Sequence, residues 1–150
     1  MDLTQHIKPA NLERYSFLWS LARLMIAAVA LFLGGVPPIL KFNPRPTNDT
    51  AIHALLTLSW LISGAASGYL LFRWYAHKKI LFGSRVPNDA TAFFIMIISG
   101  LNLGLAGAFG KNIGMSITHN RIIYSIVGIL YLMIAYYLYQ RWKDAGQKIF

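Results

Sequence analysis

Few side chains inside the long apolar runs of this 150-residue sequence could do chemistry. His53 could bind haem or relay a proton, and Arg23 could hold an anion or a lipid phosphate. Tyr124, Tyr131, Tyr136, Tyr137 and Tyr139 could line a quinone or substrate pocket. Each has a plainer role. A bis-histidine haem needs a second buried histidine, and His6, His77 and His119 stand in polar segments, so no cofactor is expected. Arg23 directly precedes residues 24–40, already a membrane length of apolar chain, so its guanidinium is expected to snorkel to the nearby interface. Tyrosines in apolar helices most often form interface belts and packed contacts. Lys78 and Lys79, with Arg73 and Arg85, could hold anionic lipid, although a basic bias at the cytoplasmic face explains them equally well.

The rest of the inventory points away from catalysis. The chain has no cysteine, which removes disulfides, thiolate metal sites and a cysteine nucleophile. It has no phosphate loop, no metal-ligand pair at helical spacing and no nucleophile motif. Asp2, Glu13, Asp49, Asp89 and Asp144 all fall outside the apolar runs, which argues against proton-coupled pumping.

The elements that must position these residues are membrane helices. Charged residues make up 13% of the chain, about half of the ~25% usual for soluble domains. Residues 24–40, 51–72, 90–110 and 122–140 are almost free of charge, and each matches the roughly 17–25 residues that span a bilayer. The expected fold is all-α: one membrane domain, a bundle of four transmembrane helices over about 16–35, 51–72, 90–110 and 122–140. Pro37 and Pro38 should stop or kink the first span, and Asn48, Asp49 or Thr50 can cap the second. Residues 1–15 read as a polar segment, able to form a short surface helix, before a retained signal anchor. Residues 75–89 read as a long loop ending in an Asn-Asp cap signal, and residues 110–121 as a tight turn.

The net charge of +9 is a topology signal rather than a nucleic-acid signal. With four spans, one side carries Lys8, Arg14, Arg73, Lys78, Lys79, Arg85, Arg141, Lys143 and Lys148; the other carries Lys41, Arg45, Lys111 and Arg121. Nine against four predicts that both termini are cytoplasmic. The two halves also echo each other at a shift of 68 residues, Tyr69–Trp74 over Tyr137–Trp142, which admits two repeated hairpins or a repeated interface device.

Each span carries a stripe of small and polar residues at helical spacing. The first has Ser16, Trp19, Arg23, Ala27, Ala30 and Gly34; the second has His53, Thr57, Trp60, Gly64, Ser67 and Gly68. The fourth has Tyr124, Ser125, Gly128, Tyr131 and Ala135. Such stripes mark helix contacts in membranes. In the third span Gly100, Gly104 and Gly107 form one stripe and Asn102 lies nearly opposite. A groove on one side and an amide on the other imply protein on both, and hence a homo-oligomer or another membrane subunit.

The segment 93–138 contains Gly-Leu-Asn-x-Gly-Leu-x-Gly-x-Phe at 100–109 and Arg-Ile-Ile-Tyr-x-x-Val-Gly at 121–128. On these residues it resembles the YuzA-like family of small bacterial membrane proteins. The resemblance covers about a third of the chain, with Leu103 where the family usually has tryptophan, and implies a membrane hairpin without an activity. The sequence therefore predicts a non-catalytic packing or assembly subunit of a membrane complex. One alternative is a channel or small-solute transporter with His53, Thr57, Ser67, Asn102 and Ser125 along its path. Another is a quinone- or lipid-handling enzyme subunit.

Overall fold

A computed structural model describes residues 8–42 and 50–150. It contains α1 (Pro9–Phe32), α2 (Pro38–Phe42), α3 (Thr50–Ala76), α4 (Pro87–Phe109), α5 (Ile113–Ile117) and α6 (Arg121–Asp144). The fold is all-α, and α1, α3, α4 and α6 are each long and apolar enough to cross a membrane. His6, Asn48 and Asp49 lie outside the described residues.

Local chemistry sets most of the helix ends. Pro9 and Pro87 stand in the first turns of α1 and α4, where a missing N–H costs nothing. Gly110 ends α4 in the left-handed region at φ 68°, its N–H returning to the Ala106 carbonyl at 2.9 Å. Asn112 caps α5 and Asn120 caps α6, each accepting from a backbone N–H of the first turn. Three expectations are corrected. The described N-terminal residues form no separate surface helix, because α1 runs unbroken from Pro9. Asn88 and Asp89 are not the cap of α4, because Val86 holds that position and both lie inside the first turn. The turn after α4 contains the short helix α5.

The four long helices alternate in direction, so the chain ends gather at one end of the bundle. Two pairs pack most extensively, α3 with α4 and α1 with α6. Within the first pair the main chains touch. A Cβ on Gly64 would lie 2.6 Å from Gly104 Cα, and one on Gly104 would lie 2.7 Å from Gly64 Cα. Gly107 presses on Leu61 and Trp60, and Gly100 on the Ser67 hydroxyl. The glycine stripe of α4 is therefore consumed by α3 within the chain. Gly128 plays the same part in the second pair, against the Phe32 ring and the Ala28 carbonyl of α1. Gly68 has nothing within 4 Å of its would-be Cβ and makes no such contact.

Large side chains fill the end of the bundle near the termini. Phe17, Leu21, Leu24, Leu70, Phe93, Met96, Ile97, Leu138 and Trp142 form a continuous core there. The connection between α3 and α4 folds onto it, with Leu81 and Phe82 buried and the Phe82 N–H bonded to the Ile149 carbonyl at 2.8 Å. Phe150 then stacks on His77 at 5.5 Å between ring centroids. Among the described residues no comparable core exists beyond Arg23 toward the far end.

Gly104→Leu should separate α3 from α4, because a branched side chain must displace a main chain rather than a mobile side chain. Overpacking usually costs about 1–3 kcal/mol, and a backbone clash lies at the upper end. Thermal unfolding in mild detergent should show a clear drop for Gly104→Leu, and a much smaller one for Gly68→Ala.

Candidate ligand cavity

The space between the two helix pairs, on the far side of the packed core, is a cavity of about 840 Å³. Ligand pockets usually measure roughly 300–1,000 Å³. All four long helices line it, and the segments around Pro37–Pro38 and Met115 contribute to its lining beyond the helix ends. Its walls are largely aliphatic, with Ile26, Val29, Leu56, Leu103, Ile123 and Val127 among them. The serine hydroxyls of the α3 wall turn back to their own helix. Ser59 donates to the Leu56 carbonyl and Ser63 to the Ser59 carbonyl, both at 2.7 Å. Trp19 Nε1 donates to Ser63 Oγ at 3.1 Å, so α1 and α3 are tied without leaving a polar group to the cavity.

The floor is Arg23. It is only 5% exposed, and its guanidinium turns inward rather than snorkelling to an interface. Nη1 donates to Ser99 Oγ at 3.0 Å and Nη2 to the Met96 carbonyl at 2.7 Å, while Nε is buried with no partner. Its depth follows from helix geometry. Glu13 of α1 pairs with Arg73 of α3, and Asp89 of α4 pairs with Arg141 of α6, both near the termini end. Arg23 lies ten residues beyond Glu13 and Ser99 ten residues beyond Asp89. At 1.5 Å per residue both place the guanidinium about 15 Å deeper, half of a ~30 Å hydrocarbon layer.

The roof is built by Asn102. Its Nδ2 donates to Asn112 Oδ1 at 2.8 Å, and its Oδ1 accepts from Ile113 N at 2.9 Å. The amide thus holds α5 across the outer end of α4. Tyr124 adds a second tie, donating to the Thr118 carbonyl at 2.8 Å.

Other expected site residues are not brought together. His53 and Thr57 are exposed on α3, Ser67 is buried against Gly100, and Ser125 donates to the carbonyl of Arg121 in its own helix. They do not form a path through the bundle. Lys78 and Lys79 lie in the connection between α3 and α4, with Lys79 near the Trp74 and Tyr75 rings, far from Arg23. Of the tyrosines, Tyr124 and Tyr131 line the cavity, Tyr137 bonds Asp89, and Tyr136 is exposed.

Three carboxylates expected outside the spans lie within the spanning helices: Glu13, Asp89 and, as the last residue of α6, Asp144. Glu13 is nearly buried against Arg73. Asp89 is fully buried, held by Arg141 Nε at 2.9 Å, Arg141 Nη2 at 2.8 Å and the Tyr137 hydroxyl at 2.6 Å. Removing one partner of a buried pair typically costs about 3–5 kcal/mol, because the other charge is left behind. Arg141 is 30% exposed and can turn to water, whereas Asp89 cannot. Arg141→Gln should therefore destabilise the protein by about 3–5 kcal/mol and Asp89→Asn by less; thermal melts of the two variants in detergent measure the difference. No family model matches this chain, nor does any curated protein or solved structure.

Proposed function

We propose that this is a non-catalytic, multi-pass membrane protein whose bundle holds a small, mainly apolar ligand between its helix pairs. One observation carries the reading: a cavity of about 840 Å³ with aliphatic walls, lined by all four long helices and closed at its floor by Arg23 and the packed core. Water gains little there, because the hydroxyls on the α3 wall already bond their own helix. The solid floor favours binding over conduction, since a channel needs a path through both ends. The glycine stripe and Asn102, which the sequence offered to a partner subunit, both find their contacts within the chain. Assembly with other subunits thereby loses its main support. In this reading the protein sits in a bacterial inner membrane with cytoplasmic termini, on the nine-to-four charge balance, and the cavity faces the opposite side. The YuzA-like character of residues 93–138 fits a membrane hairpin there and adds no activity.

Native mass spectrometry of protein extracted in mild non-ionic detergent tests the reading. It should find a low-mass apolar adduct on the chain. Ala27→Trp, which fills the cavity from α1, should remove that adduct while leaving the melting temperature unchanged or raised. Only bare chain from the unaltered protein, or an adduct that survives Ala27→Trp, would contradict it.

A further inference from the structure

Three charged residues of the described chain are buried: Glu13, Arg23 and Asp89. Glu13 has Arg73 and Asp89 has Arg141. Among the described residues no carboxylate pairs with Arg23: the groups bonded to its guanidinium are a serine hydroxyl and a backbone carbonyl, both neutral. An arginine side chain stays protonated, so a full positive charge stands deep in the bundle with no counter-ion among the described residues. Hydrogen bonds to neutral groups compensate such a charge only in part. The guanidinium also retains unused donors, Nε among them, and Arg23 lines the cavity in the bundle's far half.

Resting on the ligand-binding reading, we propose that the occupant is an organic anion, a carboxylate or phosphate-monoester head on an apolar body. Its head completes the charge of Arg23. Carboxylate and phosphate oxygens match the planar donors of a guanidinium, and a charge-assisted bond is about twice as strong as a neutral one. The body runs from Arg23 toward the roof along Ile26, Val29, Leu103 and Val127. The distance suits a chain: Arg23 lies nine residues from the end of α1 at Phe32, about 14 Å along the axis. A wholly apolar occupant would leave the charge as it is, and a small inorganic anion would leave the aliphatic walls unfilled. Ser99 acts as a positioning residue, holding Nη1 of the guanidinium at the base of the cavity.

The test uses three ligands with one body: brominated stearate, brominated stearyl phosphate and brominated stearyl alcohol. Bromine quenches tryptophan at short range, and Trp19 and Trp60 line the cavity while Trp74 and Trp142 belong to the opposite end. Titrated into the full-length protein in neutral detergent at mildly alkaline pH, at least one anion should quench saturably and bind at least about tenfold tighter than the alcohol. The tighter of the two anions identifies the head group. Arg23→Gln should abolish the preference of anion over alcohol, whereas Arg23→Lys should retain part of it. Equal binding of alcohol and anions overturns the anion proposal and leaves the cavity reading standing. A preference that survives Arg23→Gln overturns it too. No saturable quenching by any of the three overturns the cavity reading itself. Should Arg23→Gln fail to fold, the three-ligand comparison on the unaltered protein still decides.

Discussion

The main-chain contact between Gly64 and Gly104 is the constraint from which the rest of the architecture follows. In a bilayer, helices gain little from hiding apolar side chains from one another, because lipid is as apolar as leucine. Close approach of backbones is what remains, and only glycine permits it at this distance. That contact makes α3 and α4 a unit, and Gly128 against Phe32 does the same for α6 and α1. The links between the two units are of another kind. Glu13–Arg73, Asp89–Arg141, Trp19–Ser63 and Arg23–Ser99 all cross from one pair to the other. Glycine contacts build the pairs, and these polar bonds, together with the apolar core near the termini, join them. These joints lie in the half of the bundle near the termini and at its middle, so the far half is free to remain hollow.

Much of this was legible in the sequence, because helical periodicity reports which face is inside. Trp19, Arg23, Ala27 and Ala30 share a stripe, and that stripe is the α1 wall and floor of the cavity. Gly100, Gly104 and Gly107 share another, and it is a contact face. What periodicity cannot give is depth or identity of the neighbour. Arg23 looks interfacial when the span is counted forward from Leu24. Its helix starts at Pro9, so the same residue stands well inside. Glu13 and Asp89 were misplaced for a related reason, since a charge ends an apolar run in a sequence but need not end a helix. Asn102 and the glycines do lie on different sides of α4, as the wheel requires. Neither side needs a second protein, because α5 folds back to meet the amide.

The Arg-Trp echo acquires a physical meaning. In each hairpin an acidic residue in the first turns of the leading helix meets the arginine near the end of the returning one: Glu13 with Arg73, then Asp89 with Arg141. The separations differ, 60 residues in one and 52 in the other, so the acids do not align at the shift that aligns the arginines. A repeat search on letters finds the Arg-Trp half of the device and misses its acidic half.

Those two pairs also define what is unusual about Arg23. The same chain neutralises each charge that it buries near the membrane surface, where water could have helped, and leaves unneutralised the one that it buries deepest. As scaffolding, a guanidinium in that position is a poor choice. A similar-sized apolar side chain would close the floor of the cavity without the desolvation cost of an ion, and such replacements of buried charges are often neutral or stabilising. Tying α1 to the other helix pair does not require it either, since the Trp19 indole already reaches the Ser63 hydroxyl of α3 with neutral groups. A fixed positive charge beneath an apolar chamber has a different consequence. It makes occupancy by an anion favourable in the place where lipid tails offer none, and it sets which end of an amphiphile points inward.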